Sequence, residues 1–225
     1  MKERAIVSWS GGKDSALALF EAQRDWDIVA LLTTVTEGYD RSTMHGVRTS
    51  LLKQQARSLG YALDTVDISA ACSNAEYETK LGTALGRYRS AGVTAVIFGD
   101  IFSEDVRRFH EEKLFTAGFE GVFPLWGRRT TELARRFITL GFQAVLCCVD
   151  TNVLDPGFAG RLYDDNLLAD LPPGADPCGE NGEFHSFVFN GPNLAGRIDY
   201  RAGERTSRDN GFCFCDLLPG VDCRQ

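Results

Sequence analysis

The first half of the chain alternates between short apolar runs and longer segments whose apolar residues recur at helical spacing. The apolar runs, rich in β-branched residues, are typical of strands buried on both faces. They cover residues 5–7, 28–35, 62–68 and 93–98. The segments of helical period follow them at residues 16–20, 50–59 and 74–90 and from the cap at Ser103 to about Gly118. This alternation predicts βαβ units and a mainly parallel sheet with helices on both faces.

The second half has a different pattern. A predicted helix at residues 130–140 and an apolar run at residues 142–149 are followed by a stretch rich in Gly, Pro, Asp and Asn. The remaining strand candidates are short, and the last two predict an antiparallel hairpin. They cover residues 184–189, 197–200 and 211–218. We therefore predict an α/β domain over residues 1–125, followed by a smaller α+β domain over residues 126–225.

Charge and composition narrow the classes of partner. The net charge is −7 with a pI near 5.0, and residues 151–225 carry twelve acidic and six basic side chains. Such an acidic balance makes a large nucleic-acid partner unlikely and favours a small-molecule or protein substrate. The sequence has neither an apolar stretch of the ~20 residues that a membrane span needs nor a signal-peptide core, so we expect a cytoplasmic protein without a membrane partner. Cys147 and Cys148 lie within an apolar run, which is typical of reduced core thiols.

The stretch between the first apolar run and the first helical segment carries the clearest chemistry. Gly11 and Gly12 join a predicted strand to a predicted helix, so several free backbone N–H groups point to one place, where the helix end is positive. This geometry favours a phosphate group. Neither GxxxxGK[ST] nor GxGxxG is present, which disfavours a Walker-type NTPase and a dinucleotide fold. The predicted phosphate-binding residues are Ser8, Ser10, Gly11, Gly12, Lys13, Asp14 and Ser15.

The segment 10–15 resembles the SGGxDS loop of the PP-loop ATP pyrophosphatases, within the adenine nucleotide alpha hydrolase-like superfamily. The resemblance implies ATP as cosubstrate, cleaved between its α- and β-phosphates. It also makes polar residues near the carboxyl ends of the strands candidates for nucleotide binding, since that edge holds the ligand in open α/β sheets. The candidates are Thr33, Thr34, His45, Arg48, Gly99, Asp100 and Arg107. Among them Asp100 is the predicted ligand of a Mg²⁺ ion that bridges phosphates.

Three later stretches are similar to the diphthine–ammonia ligase family. Gly99-Asp100-Ile101 resembles its second block, and residues 123–128 (FPLWGR) resemble the connection between its domains. Residues 178–186 (CGENGEFHS), with Gly191-Pro192, resemble its C-terminal substrate motif. The family typically has a glycine where this chain has Asn181 and an acid where it has His185. The variant is similar to a prokaryotic branch of the family.

The resemblance implies an ATP-dependent ligase that adenylates a carboxylate, releases pyrophosphate and forms an amide with ammonia from free ammonium. The predicted catalytic residues are Lys13, Asp14, Asp100, Glu180, Glu183 and His185. Glu183 and His185 are two apart, so on a strand they would share a face. The carboxylate would belong to diphthine on the translocation elongation factor or to a small metabolite, for example a corrinoid-related acid. A homodimer is the default expectation.

Three other interpretations remain open at this stage. A tRNA-thiolating PP-loop enzyme would need a basic RNA-binding surface and a catalytic cysteine pair. A sensor would hold ATP or AMP without turnover. A structural zinc site could use the cysteines and histidine of the C-terminal region, although their spacing is CxC rather than CxxC. Those residues are Cys178, His185, Cys213, Cys215 and Cys223.

Overall fold

The computed structural model describes residues 1–43, 45–69 and 72–220. Its first sheet has six strands, with neighbours in the order β3-β2-β1-β5-β6 and with β4 also paired to β2. All these pairs are parallel except the short β2–β3 pair. The strands are β1 (Arg4–Ser8), β2 (Asp27–Thr36), β3 (Arg41–Ser42), β4 (Ala62–Ile68), β5 (Ala95–Ile97) and β6 (Glu120–Val122). The predicted mainly parallel sheet is therefore confirmed.

Helices cover both faces of this sheet. They are α1 (Lys13–Ala22), α2 (Thr49–Leu59), α3 (Asn74–Ser90) and α4 (Glu104–Ala117). Successive residues of β1 point to opposite faces. Ala5 and Val7 pack with α1 and α2, whereas Ile6 packs with α3 and α4. The apolar runs of the sequence are continuous because the strands they form are buried on both sides.

A second sheet is antiparallel and has the order β8-β7-β10-β9. Its strands are β7 (Gln143–Asp150), β8 (Phe184–Asn190), β9 (Tyr200–Ser207) and β10 (Phe212–Pro219). Helix α5 (Thr130–Thr139) precedes β7, and a short helix α6 (Asp165–Asp170) lies between β7 and β8. The predicted α+β character of this half is confirmed.

The prediction for the strand at residues 197–200 was wrong in extent. The strand is β9, which begins at Tyr200, where the predicted strand ends, and continues to Ser207. Most of its residues are exposed because it lies at the edge of the second sheet, so it has no apolar alternation to mark it. The sequence also did not predict β3, β6 or α6, which are short.

The two sheets share one apolar core. The larger cluster of buried residues contains β1, α1 and α2 residues together with Val145, Phe187 and Cys215 of the second sheet. The first loop of the chain is thus packed directly against the second half. The division of the chain at residue 125 stays a prediction. In the described ranges the cysteines are all free thiols, and no helix there is long and apolar enough to span a membrane.

Candidate active site

The glycine-rich loop joins β1 to α1 in the predicted strand–turn–helix geometry. Gly11 has φ +78°, a left-handed conformation that glycine adopts without a Cβ penalty. The Ser15 hydroxyl donates to the Gly12 carbonyl at 3.0 Å, and the Ser10 Oγ accepts from the Gly12 N–H at 3.2 Å. The two serine hydroxyls are also within 3.0 Å of each other. The loop is therefore folded on itself by its own serines.

Lys13 is the central cation of the site. Its side chain is almost fully buried, and its Nζ donates to the Asp14 carboxylate at 2.6 Å and to the Cys178 carbonyl. Burial by itself lowers the pKa of Lys13, but the charges of Asp14 and Glu180 and the Cys178 group outweigh it, so the pKa lies above its usual value. Lys13 therefore stays charged.

Gln55 of α2 connects this loop to the second sheet. Its buried amide donates to the carbonyls of Gly11 at 2.9 Å and Val188 at 2.6 Å and accepts from the Trp9 indole N–H at 3.0 Å. The Val188 N–H also donates to the Gly11 carbonyl at 2.9 Å. From β8, the Ser186 Oγ accepts from the Lys13 N–H at 3.1 Å. The loop is thus built by residues from both halves of the chain.

Two carboxylates shape the loop that precedes β8. Glu183 is buried, and its two oxygens accept from the Asp176 N–H, the Asn181 N–H and the Asn181 amide at 2.8–2.9 Å. The Asp176 carboxylate in turn accepts from the Cys178 N–H at 2.8 Å. These bonds fix the turn that presents the Cys178 carbonyl to Lys13. They also hold the pKa of Glu183 below its usual value, against the effect of burial.

Two further acids lie close to Lys13 and Asp14. Burial, together with the nearby Asp14 charge, raises the pKa of Glu180 to about 7 and that of Asp100 to about 6. The Asp100 Oδ2 is buried without a hydrogen-bond partner in the described part of the chain, and the His110 Nε2 is 3.8 Å from it. An unpartnered carboxylate oxygen beside a second carboxylate is a donor set that suits Mg²⁺.

His45 and His185 pack against each other, with ring centroids 4.5 Å apart. Burial lowers the pKa of His45 to about 4 and that of His185 to about 3, so both rings are neutral at pH 7. The His45 Nδ1 lies 3.2 Å from the Ser186 carbonyl, which can only accept. Neutral His45 therefore carries its proton on Nδ1 and keeps Nε2 as a hydrogen-bond acceptor.

Two adjoining cavities open beside the loop. The polar cavity, of about 410 Å³, is lined by loop residues, the end of β5 and residues 178–186. The second cavity, of about 210 Å³, lies between the end of β2 and the helices α3 and α4, and it is called the apolar cavity because it lacks the cluster of Lys13, Asp14, Asp100 and Glu180 that lines the first; Lys113 also lines it. Both cavities are lined by Ser8, Ser10, His45, Phe98 and His110. A ligand with a charged end and an apolar end can therefore occupy both.

Most of the predicted site residues meet at these cavities. The polar cavity is lined by Ser8, Ser10, Lys13, Asp14, Ser15, His45, Gly99, Asp100, Glu180 and His185. Thr33 and Thr34 line the apolar cavity, at the carboxyl end of β2. Gly11 and Gly12 form the turn itself. The structure also adds residues that sequence reasoning missed, chiefly Gln55, His110 and Ser186. Of these, only Ser186 could have been predicted from the sequence, because it is the last residue of the stretch 178–186 that resembles the family's substrate motif.

Three predicted residues are not brought to the cavities. Glu183 lies just before β8, and its carboxylate is engaged by its own loop, so it does not line the cavity that His185 lines. Arg48 forms a bidentate ion pair with Asp216 at 3.1 and 2.6 Å. Arg107 pairs with Glu111 at 2.7 Å and stacks over Phe123. In each case the charged side chain already has a partner close by. Arg48 and Arg107 pair with carboxylates, and the Glu183 carboxylate accepts from N–H groups of its own loop.

A zinc site finds no support in residues 1–43, 45–69 and 72–220, where no three His, Cys, Asp or Glu side chains are grouped to hold a metal ion. Cys223 lies outside the described residues.

Gly99 offers a test of the packing that positions Asp100. A Cβ at Gly99 would lie 2.7 Å from the Asp14 carbonyl carbon and 2.9 Å from the Ser15 nitrogen, which are backbone atoms and cannot rotate away. We expect Gly99→Ala to lower the free energy of unfolding by about 1–3 kcal/mol through overpacking. It should also displace the start of α1, which carries Lys13 and Asp14. Denaturant titration measures the loss of stability.

The matched control is Gly82→Ala on the exposed side of α3, where an added Cβ meets nothing within 4 Å. That change should raise stability by up to about 1 kcal/mol, since alanine is the better helix former. Equal effects of the two substitutions would contradict the assigned role of Gly99.

Two family models together match most of the chain. The family model described as the diphthamide synthase N-terminal domain matches residues 3–117, and the model of the diphthamide synthase C-terminal domain matches residues 129–217. Among solved structures, the predicted subunit of a tRNA methyltransferase from Methanocaldococcus jannaschii is 15% identical, with a TM-score of 0.42. That match covers 63% of this chain and 77% of the other. A search of curated proteins gave no match.

Proposed function

The chain belongs to the diphthamide synthase family, a family of ATP-using enzymes, and on that premise we propose that it is an amide-forming ligase. In the first step a substrate carboxylate oxygen attacks the α-phosphorus of ATP, and pyrophosphate leaves. In the second step ammonia attacks the carbonyl carbon of the acyl-adenylate, and AMP leaves. The sum is carboxylate, ammonium and ATP giving amide, AMP, pyrophosphate and two protons, and the carboxylate oxygen that attacked phosphorus leaves with AMP.

The junction of the two cavities at the glycine-rich loop is the observation that carries this proposal. ATP has an apolar, aromatic base at one end and a charged triphosphate at the other. We assign the base to the apolar cavity, beside Thr33 and Thr34, and the phosphates to the loop. His45 lies between them and offers Nε2 as an acceptor to the nucleoside.

Lys13 and the loop N–H groups stabilise the leaving pyrophosphate. Charge builds on the bridging oxygen as the α–β bond breaks, and fixed donors in a buried site stabilise that charge without reorganising. Lys13 is already fixed between Asp14 and the Cys178 carbonyl. The phosphates would take over part of its hydrogen bonding.

Asp100, with Asp14 beside it, would hold the Mg²⁺ ion, which neutralises phosphate charge when bound. The support is the buried Asp100 oxygen that lacks a partner in the described residues. Burial and the Asp14 charge raise the pKa of Asp100 to about 6, and a bound cation would favour its ionised form.

Glu180 is the proposed general base. Ammonium is not nucleophilic, and a carboxylate whose pKa lies near 7 can take one of its protons at neutral pH. Glu180 and His185 line the same cavity as Lys13, so the nitrogen would form next to the activated carbonyl. The second proton leaves as the amide forms.

Product analysis tests the reaction class. Purified protein is incubated with ATP, Mg²⁺, ammonium and candidate carboxylates, including elongation factor that carries diphthine and a fractionated extract of small molecules. AMP and pyrophosphate that appear only with one acceptor support the ligase and identify the acid. ADP and phosphate would overturn it. ATP binding without turnover for any acceptor would favour the sensor.

A further inference from the structure

The segment that carries His45 is held in place from the second sheet. The Asp216 carboxylate on β10 accepts two hydrogen bonds from Arg48, at 3.1 and 2.6 Å, and its Oδ1 lies 2.9 Å from the Arg41 Nη2. The Arg41 Nη1 donates to the Gly46 carbonyl at 2.9 Å, directly after His45. One carboxylate therefore pairs with Arg41 and Arg48, at the two ends of the segment 41–48, of which the structure describes residues 41–43 and 45–48.

Two more contacts from the second sheet reach the same segment. The Phe214 ring of β10 packs so closely on Gly46 that a Cβ there would lie 3.1 Å from a ring carbon. The Ser186 carbonyl of β8 accepts from the His45 Nδ1. The first sheet contacts the segment through the two-residue pairing of β2 with β3 and through Thr34, whose carbonyl accepts from the Thr43 N–H at 3.3 Å.

We propose that Asp216 is a positioning residue for nucleotide binding, which acts by holding the segment 41–48 so that His45 closes the junction of the two cavities. Asp216 does not line either cavity. Its effect passes through Arg41 and Arg48, which are about one-third exposed and carry no part of the proposed chemistry. This inference rests on the proposed function, since it takes the junction to be the nucleotide site.

The ion triad is worth little as a stability element, because partly exposed pairs are screened by water. Charge-assisted and bidentate hydrogen bonds are, however, good at fixing geometry. Replacing Asp216 should therefore lower the affinity for the ligand more than it lowers the free energy of unfolding. A purely structural role would give the opposite pattern.

The test is a double-mutant cycle on the affinity for a non-hydrolysable ATP analogue, measured by calorimetry for the wild type, Asp216→Asn, His45→Ala and the double variant. We expect Asp216→Asn to weaken binding about tenfold and His45→Ala to weaken it at least as much. The double variant should bind no more weakly than His45→Ala. In turnover, KM for ATP should rise while kcat changes little.

The matched control is Asp170→Asn, which breaks the comparable ion pair between Arg161 and Asp170, at 2.6 Å, far along the chain from the segment. It should bind the analogue like the wild type. If Asp216→Asn does not fold, Arg48→Lys keeps the charge, removes the bidentate geometry and should weaken binding in the same direction.

If Asp216→Asn binds the analogue as tightly as the wild type, the positioning role is overturned. It is also overturned if the loss of affinity in the double variant equals the product of the two single losses, because the two residues would then act independently. Failure of the wild type to bind the analogue would instead overturn the nucleotide site itself, so the two failures are distinguishable.

Discussion

Replacing Lys13 by alanine should lower kcat/KM for ATP-dependent turnover by about 10³-fold, the upper range for removing one donor from a site of developing charge. Lys13 supplies the one ammonium group that lines the polar cavity in the described part of the chain, and Asp14 and the Cys178 carbonyl already hold it in position. Without it, the charge on the leaving pyrophosphate has only the loop N–H groups to stabilise it. Pyrophosphate release under saturating acceptor measures the effect.

The control for this substitution is Lys53→Ala on the exposed side of α2, which changes the net charge equally. It should retain wild-type turnover. Circular dichroism should show Lys13→Ala folded, since the buried amine is replaced by a smaller neutral group. Full activity in a folded Lys13→Ala protein would remove Lys13 from the mechanism.

Glu180→Gln should lower kcat/KM for ammonium by about 10²–10⁴-fold, the usual contribution of a general base. In the wild type the rate should fall about tenfold per pH unit below pH 7, because only the ionised carboxylate accepts a proton and burial raises the pKa of Glu180 to about 7. Glutamine cannot take the proton from ammonium, so the variant depends on free ammonia, and its rate should keep rising with pH through pH 7 without the break that Glu180 causes. Initial rates from pH 5.5 to 8.5 provide the measurement.

A second nucleophile separates base catalysis from simple damage to the cavity. Hydroxylamine is largely unprotonated at neutral pH and needs no base to become nucleophilic, so Glu180→Gln should recover much of the rate with it. Glu204→Gln on the exposed β9 is the matched control and should behave as wild type. If Glu180→Gln loses the same fraction of its rate with both nucleophiles, Glu180 maintains the shape of the cavity and does not act as a base.

The periodicity of the sequence predicted the first sheet and its helices because buried parallel strands and their covering helices have strong local patterns. The strand–turn–helix at residues 8–15 could also be predicted, because two glycines separate an apolar run from a segment whose apolar residues recur at helical spacing. Strand β9 was misplaced because an exposed edge strand has no buried face to impose alternation.

Arg48 and Glu183 show why site residues were harder to predict. Both have the charge and the local setting that a nucleotide or substrate site needs. Asp216, the partner of Arg48, lies 168 positions away, and the three donors of Glu183 depend on the path of its own loop. The sequence shows that a charged side chain is present, but it does not show which group pairs with it or donates a hydrogen bond to it.

The sequence by itself determined the fold class, the family and the position of the glycine-rich loop, because each depends on residues that are neighbours along the chain. Only the tertiary structure decided which groups share a cavity. It placed Lys13 against the Cys178 carbonyl, Gln55 between Gly11 and Val188, and His45 against His185. These contacts arise from packing between the two sheets, and burial there sets the charge state of Glu180 and both histidines.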